Sequence, residues 1–157
     1  MIILGIDPGY AKSGWGIIEK LGQKVSLVNY GCIETTPKLS PSLRLYTVYK
    51  SIIKIIKDYR PGFAAVEDLF FGANAKTALK VGEARGVILL ALENSHMQIA
   101  HYTPLQIKQA ITGYGRADKT QIQKMVKTIL NLDLIPKPDD AADALAVALT
   151  HAFTLKH

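Results

Sequence analysis

The chain has 157 residues with 48% hydrophobic and 20% charged side chains, which is typical of one globular domain and excludes a disordered chain. No apolar run approaches the roughly 18 residues of a membrane helix and no secretion signal opens the sequence, so we expect a cytoplasmic protein without a membrane partner. The formal net charge of +6 favours a polyanionic partner, for which nucleic acid is the natural candidate.

Three strands are predicted at the start of the chain, over Met1–Ile6, Ser13–Lys20 and Lys24–Thr35. Only short turn sequences separate them, so we expect an antiparallel meander. The third strand carries the single cysteine, Cys32. One cysteine cannot form an internal disulfide, which suits a reducing compartment, and we interpret Cys32 as a small core residue rather than a nucleophile.

The first strand brings a carboxylate, Asp7, to the turn formed by Pro8 and Gly9. Burying a charged aspartate at the end of an apolar strand costs free energy unless the charge is paired or binds a metal. Taken alone, the pattern is more typical of a solvated aspartate that caps its own turn. On the second strand, Gly14 and Gly16 leave room for another backbone or for a phosphate to come close.

A helix is predicted from Ser40-Pro41 to Tyr59, because serine at the N-cap with proline at the first helical position is a typical helix start. A buried strand over residues 63–66 follows and ends on Glu67-Asp68. This strand repeats the arrangement of the first one, an apolar run that delivers a carboxylate. The adjacent aromatics Phe70 and Phe71 come next, and we expect one of them to be exposed.

The next helix is predicted from Ala75 to Asn94 and contains Gly82 and Gly86. Each glycine inside a helix lowers helix stability by about 1 kcal/mol relative to alanine, so we expect the pair to have a packing role. Two glycines four residues apart form a groove that a second helix can approach closely. That helix belongs either to the same subunit or, as we favour, to a symmetry-related one.

The remaining predicted elements are a strand over Met97–Tyr102 and helices over residues 103–112, 118–132 and 139–155. Asp118 and Gln121 form a capping pair at the start of the second of these helices. From Leu105 to Lys137, six basic residues stand against two acidic ones, a local excess of +4. This excess predicts either a nucleic-acid surface or ordinary solvated helix faces.

Three aspartates, Asp139, Asp140 and Asp143, lie in the first turn of the last helix, which exceeds what helix capping needs. Strand ends and helix N-termini gather at one edge of a parallel-type sheet, so we expect Asp7, Glu67 and the Asp140/Asp143 pair to share one pocket. Four carboxylates suit Mg²⁺ or Mn²⁺, and two such ions about 3.5–4 Å apart can promote phosphodiester hydrolysis.

A zinc site is not predicted, because the four histidines lack ligand spacing and no cysteine pair is present. His151 lies eight residues beyond Asp143, within reach of the pocket, but we interpret it as a core or surface residue.

Five motifs in order and spacing resemble the RuvC family of Holliday junction resolvases, nucleases of the ribonuclease H-like superfamily. The motifs are GIDPG at 5–9, AVEDLF at 65–70, ALKVGEARG at 78–86, QIKQA at 106–110 and DAADALAVALTHA at 140–152. The resemblance implies a ribonuclease H-like α/β fold in a single domain over residues 1–157. Its mixed five-stranded sheet would have antiparallel strands 1–3 and parallel strands 4 and 5, flanked by helices.

The resemblance also implies a structure-selective endonuclease that resolves Holliday junctions by paired, symmetric, metal-dependent hydrolysis in DNA recombination and repair. Asp7, Glu67, Asp140 and Asp143 would form the catalytic and metal-binding set, with two Mg²⁺ ions or Mn²⁺ as a substitute. Asp139 lies beside this pattern, and the resemblance leaves the relative roles of Asp139 and Asp140 open.

By the same resemblance, Phe70 would stack against bases near the exchange point, and Lys108 and Lys119 would contact the cleaved backbone. The family is dimeric, which would place Gly82 and Gly86 in the interface of a homodimer. The RuvA–RuvB branch-migration complex would be a further partner.

Two other interpretations fit part of the sequence. The spacing of Asp7, Gly9 and Gly14 also fits the phosphate-binding hairpin of actin- and hexokinase-like ATPases, which need two such domains. An inactive protein that binds DNA junctions is the other alternative. The full acidic set argues against it, because those buried charges would only destabilise a fold that binds no metal.

Overall fold

A computed structural model describes residues 1–69 and 75–155. The predicted Phe70 contact therefore lies outside the described residues. Within them, the elements are β1 (Ile2–Asp7), β2 (Lys12–Leu21), β3 (Lys24–Glu34), α1 (Pro41–Tyr59), β4 (Phe63–Glu67), α2 (Ala75–Asn94), β5 (Gln98–Tyr102), α3 (Pro104–Thr112), α4 (Lys119–Ile129) and α5 (Asp139–Thr154). A search of the described helices finds none with the length and apolar character needed to cross a membrane.

The five strands form one mixed sheet in the order β3-β2-β1-β4-β5. Strands β1, β2 and β3 pair antiparallel, whereas β4 lies parallel to β1 and β5 lies parallel to β4. This arrangement confirms the predicted mixed sheet with its antiparallel meander. Because parallel strands share the edge at which they end, Asp7 and Glu67 reach the same edge of the sheet.

Each face of the sheet carries its own core. Alternate residues of β1 point to opposite faces, so Ile3 packs with α3, α4 and α5, whereas Leu4 and Ile6 pack with α1 and α2. Most of α5 is buried, which explains its nearly continuous apolar sequence from Ala144 to Leu149. The central helix α5 therefore lies directly over the strands that carry Asp7 and Glu67.

The predicted helix starts are confirmed. The Ser40 hydroxyl accepts from the Leu43 amide at 3.3 Å, and Thr103 and Asp118 each form a capping box with the glutamine three residues later. One predicted end is wrong, because α4 stops at Ile129 instead of continuing to residue 132. The reason is local, since Asn131 adopts a left-handed backbone with φ of 50°.

Three strand glycines let α5 approach the sheet closely. A Cβ atom at Gly5 would overlap the Ala144 carbonyl oxygen, and one at Gly16 would come within 2.6 Å of a Leu145 methyl group. A Cβ at Gly14 would overlap the Asp140 carbonyl oxygen. Of the two occupants that the sequence allowed at Gly14 and Gly16, a backbone or a phosphate, the structure therefore places the α5 helix there.

His151 is buried in the core between α5 and the sheet, as the sequence favoured. Its Nδ1 lies 2.8 Å from the Tyr102 hydroxyl, and its Nε2 has no hydrogen-bond partner among the described residues. Burial, with a smaller contribution from the nearby Lys20 ammonium, lowers the pKa of His151 below its usual 6.5. The folded protein therefore favours the neutral imidazole.

We predict that the protein loses stability as the pH falls below about 6.5, because protons then bind the unfolded His151 more readily than the folded one. A His151→Gln variant cannot titrate there and keeps an acceptor for Tyr102. Its melting temperature should change less between pH 7.5 and pH 5.5 than that of the wild type. Equal pH dependence in the two proteins would show that His151 is not responsible.

Candidate active site

A cleft of about 320 Å³ opens at the edge where β1 and β4 end. It is lined by the acidic residues Asp7, Glu67 and Asp143, the lysines Lys108 and Lys119, and Pro104, Ile107, Ile122 and Ala146. The structure thus brings together acidic side chains, Asp7 and Asp143, that are 136 positions apart in the sequence. Three of the four predicted catalytic acids and both predicted DNA-contacting lysines share one cleft.

Asp7 and Glu67 end neighbouring parallel strands and hydrogen-bond to each other through their carboxyl groups. Burial raises the pKa of Asp7 well above its usual range, and the negative charges of Glu67 and Asp143 raise it further. Burial also raises the pKa of Glu67, although the hydrogen bond from Asp7 opposes this. Of the two carboxyl groups, Asp7 is therefore the one whose pKa the site raises more strongly.

Asp143 faces these two residues from α5 and is paired with Lys119. The Lys119 Nζ lies 2.9 Å from Oδ2 of Asp143 and 3.9 Å from Oδ2 of Asp139. Burial raises the pKa of Asp143, although the hydrogen bond and charge of Lys119 oppose the rise. The ammonium group of Lys119 thus balances part of the negative charge in the cleft.

Asp139 and Asp140 take different positions in the first turn of α5. The Asp139 Oδ1 lies 2.6 Å from the Lys137 Nζ, and this hydrogen bond lowers the pKa of Asp139. Asp140 is not among the described residues that line the cleft, but its charge contributes to raising the pKa of Asp7. Lys137 therefore pairs with Asp139, whereas the charge of Asp140 acts on Asp7.

The acidic cluster fits a hard divalent cation by its chemistry. Within residues 1–69 and 75–155, no three Asp, Glu, His or Cys side chains already have the arrangement of metal ligands. Instead, the Lys119 ammonium compensates part of the charge, and the mutual repulsion of the acids raises the pKa of Asp7. The donors are all carboxylate oxygens, which Mg²⁺ and Mn²⁺ prefer, and a bound cation would relieve their repulsion and replace that ammonium group.

The hairpin between β1 and β2 does not support the ATPase-like interpretation. The space beside Gly14 is filled by the Asp140 carbonyl, which leaves no room there for a phosphate. The Gly9 amide donates to the Ser13 hydroxyl at 3.1 Å, and that hydroxyl donates back to the Gly9 carbonyl at 2.7 Å. The backbone amide and carbonyl of Gly9 are therefore hydrogen-bonded within the turn.

The predicted interface glycines lie on the outer side of α2. Apart from the adjoining residues and backbone of α2 itself, no atom of the described residues lies within 4 Å of a Cβ built at Gly86, and the nearest such atom to one at Gly82 is a Leu69 methyl group at 3.7 Å. Two exposed leucines, Leu79 and Leu90, follow the same helical spacing. Among the described residues, no helix of the same subunit therefore fills the groove at Gly82 and Gly86.

Sequence reasoning missed a cluster immediately behind Glu67. The Arg85 Nη2 lies 2.6 Å from Oδ1 of Asp68 and 2.9 Å from Nδ1 of His101, while the Arg85 Nε donates to the Glu67 carbonyl at 3.4 Å. This cluster fastens α2 and β5 to the end of β4 and so fixes the backbone from which Glu67 projects. The only sequence signal was the position of Asp68 directly after Glu67.

The comparisons with known proteins agree with each other. The family model described as "Crossover junction endodeoxyribonuclease RuvC" matches residues 3–151. A curated protein of that name from Desulforamulus reducens is 59% identical over 97% of this chain and 93% of its own length. One from Caldicellulosiruptor saccharolyticus is 57% identical over 96% of this chain and 92% of its own length.

A solved structure described as Thermus thermophilus RuvC in complex with Holliday junction substrate superimposes with a TM-score of 0.93 at 37% identity. The match covers 98% of this chain and 93% of that chain. The yeast mitochondrial Holliday junction resolvase Ydc2 shares the fold at 14% identity, with a TM-score of 0.68.

Proposed function

Because this chain belongs to the RuvC family of crossover junction endodeoxyribonucleases, we propose that its acidic cleft is the site at which the backbone of a Holliday junction is cut. The protein is a nuclease that resolves such junctions in DNA recombination and repair. The observation that carries the assignment of the site is the meeting of Asp7, Glu67 and Asp143 in one cleft with Lys108 and Lys119. The proposed catalytic unit is a single domain over residues 1–157.

The metal-binding residues in this proposal are Asp7, Glu67, Asp140 and Asp143. Two Mg²⁺ ions, with Mn²⁺ as a substitute, suit a set of four carboxylates, and when bound they supply an activated water and charge stabilisation for the leaving oxygen. The fold holds the carboxylate ligands in fixed positions. Asp7 and Glu67 are fixed by adjacent strands, and Asp143 is held opposite them by the close packing of α5.

The basic residues of the cleft hold the phosphate in this proposal. Lys108 lines the cleft without belonging to the acidic cluster, so its ammonium group can pair with a phosphate oxygen. Lys119 lies against Asp143 and becomes available to the phosphate when a cation takes over the compensation of that acid. Phe70 would stack against bases near the exchange point, a prediction that rests on the sequence resemblance alone.

The test is incubation of the protein with a synthetic four-way junction in Mg²⁺ or in EDTA, followed by mapping of the cut strands. We expect symmetric nicks in two opposing strands with Mg²⁺ and none with EDTA. Equal cutting of plain duplex and junction would contradict the proposed selectivity. Cutting in EDTA would contradict the metal requirement.

We also propose that the protein acts as a homodimer through α2. The stripe formed by the exposed Leu79, Gly86 and Leu90 and the half-buried Gly82 supports this, because two small residues between two leucines let a second helix pack closely. Two subunits related by a two-fold axis would offer two cleavage sites to a junction of the same symmetry. From family membership, we also propose that the RuvA–RuvB complex is a partner. From the sequence, we propose a cytoplasmic location.

A Gly86→Arg substitution should weaken the dimer at least about a hundredfold, because it would bury an unpaired charge in the interface. The monomer fold should survive, since the added side chain meets open space. Thr128→Arg, which adds the same charge on α4, is the matched control. Analytical ultracentrifugation would measure both proteins, and an unchanged dimer of Gly86→Arg would place the interface elsewhere.

A further inference from the structure

Two cations and one aromatic ring form a cluster at the edge of the sheet where β1 ends, away from the acidic cleft. Tyr10 lies in the turn between β1 and β2. The guanidinium carbon of Arg44, on α1, lies 3.9 Å from the centre of the Tyr10 ring, and the ammonium nitrogen of Lys80, on α2, lies 5.2 Å from it. Because α1 and α2 pack on the face of the sheet opposite to α3, α4 and α5, this cluster is separate from the acidic cleft.

Arg44 is a buried charge without a carboxylate partner. Only 8% of its surface is exposed. Within residues 1–69 and 75–155, neither Arg44 nor Lys80 forms an ion pair with an acidic side chain. Burying a guanidinium group costs free energy unless an anion compensates its charge. The cluster therefore carries a positive charge that an anionic ligand would neutralise.

Hydrogen bonds fix the position of Arg44 before any ligand binds. The Arg44 Nε donates to the Thr35 hydroxyl at 3.0 Å, and that hydroxyl donates to the Tyr10 carbonyl at 2.9 Å. The Thr35 amide also donates to the Ala11 carbonyl at 2.9 Å. These bonds join α1, the end of β3 and the turn after β1. They engage only the Nε of the guanidinium group, and the two Nη groups form the fork with which arginine binds a phosphate.

A purely structural role would explain Arg44 but not Lys80. An arginine that braces a turn through a threonine and an aromatic ring needs no second cation. Lys80 is exposed and could extend into solvent, yet its ammonium group lies beside the ring that already carries Arg44. The two charges lie within about 10 Å of each other, which is the screening length at 0.1 M salt, so their fields add.

The proposed substrate supplies an anion of the required kind close to this cluster. Tyr10 follows Asp7 by three residues, a stretch of chain that spans at most about 11 Å. One DNA strand advances about 3.4 Å along the helix axis with each nucleotide. A phosphate at the cluster would therefore be only a few nucleotides from the phosphate in the acidic cleft.

We propose that Arg44 and Lys80, held against the Tyr10 ring, form a second phosphate-binding site that holds the junction backbone a few nucleotides from the cut. This inference rests on the proposed function and adds an anchor for the DNA outside the acidic cleft.

The test is a binding cycle between the protein and the DNA, run in EDTA so that no strand is cut. Four-way junctions carry one uncharged methylphosphonate in place of each phosphate flanking the cut in turn. The wild type, Arg44→Met and Lys80→Met are compared, with Lys57→Met as the control that removes a charge from the exposed last turn of α1. Melting temperatures verify folding. If Arg44→Met does not fold, the cycle is run with Lys80→Met, whose side chain is exposed.

Arg44→Met and Lys80→Met should each bind the unmodified junction about tenfold more weakly, the effect of losing one charge-assisted contact. The slope of log affinity against log salt should become shallower by about one in each variant. Lys57→Met should stay within about threefold of the wild type, because its charge is remote and screened. One methylphosphonate position should weaken the wild type about tenfold and leave Arg44→Met unchanged, because that variant has already lost the contact.

Effects of the substitution and of the methylphosphonate that simply multiply at every position would overturn the second site. So would wild-type affinity in both Arg44→Met and Lys80→Met. Either result would leave the proposed function standing, provided that the wild type cuts the junction when Mg²⁺ is added. Failure of the wild type to bind or cut any junction would instead refute the proposed function and this inference with it.

Discussion

Cleavage of a four-way junction is expected to slow at least about a thousandfold in an Asp7→Asn variant, while the affinity for the junction stays within about threefold of the wild type. The substitution keeps the shape of Asp7 but removes one charged oxygen ligand from the acidic set. Loss of several kcal/mol of metal-dependent transition-state stabilisation corresponds to such a factor. Gel-based cutting and binding assays on one junction measure the two effects, and retained nicking would contradict the role of Asp7.

The same variant should be more stable than the wild type when no divalent ion is present. Asp7 has a raised pKa in the fold, so the folded protein loses stability as the pH rises from about 3.8 towards that raised value. Asparagine carries no charge and avoids this loss. At neutral pH, Asp7→Asn should therefore melt at a higher temperature in EDTA, and Mg²⁺ should stabilise it less than it stabilises the wild type.

Asp133→Asn is the matched control, because it makes the same chemical change at an exposed residue outside the cleft. It should cut and melt as the wild type does. If Asp7→Asn melted at a lower temperature than the wild type in EDTA, the claim that Asp7 is a strained, charge-repelled residue would be wrong.

The second large effect is expected for Gly5→Ala, with a loss of about 3 kcal/mol in the free energy of unfolding. The added methyl group would overlap the Ala144 carbonyl oxygen and come within 2.6 Å of the Ala148 amide nitrogen. Backbone atoms of a packed helix cannot move aside as a flexible side chain can. For a chain of this size, the melting temperature should fall by about 10 °C.

Gly5→Ala should also cut the junction more slowly at temperatures where it is still folded. Ala144 adjoins Asp143, so a displaced α5 carries that acid away from Asp7. Gly62→Ala is the control, because the nearest atom to its added Cβ is the Ile2 carbonyl oxygen at 4.0 Å. A Gly5→Ala protein with wild-type stability and activity would show that α5 does not depend on this close packing.

The local part of the fold was predictable because its signals are local. Ser40 with Pro41, and Asp118 with Gln121, mark helix starts through hydrogen bonds within four residues, and the structure has both. Asp7 and Glu67 were predicted to lie together because parallel strands end at one edge. Those inferences needed only patterns of spacing and the geometry of a sheet.

The remaining features depend on contacts between distant segments. Nothing near Gly14 in the sequence indicates that the backbone at Asp140 fills the space beside it. The partner of Lys119 could equally have been a phosphate, and only the folded chain places it against Asp143. The contact of Arg85 with Asp68 likewise joins residues 17 positions apart across two elements. Sequence patterns do not contain these distances.

The most direct measurement of the central claim is the anomalous scattering of manganese in crystals of the protein grown with Mn²⁺. We expect a peak bounded by the carboxylates of Asp7, Glu67 and Asp143, with Lys119 turned away from Asp143. A peak elsewhere, or an acidic cluster that keeps its Lys119 contact in excess Mn²⁺, would contradict it.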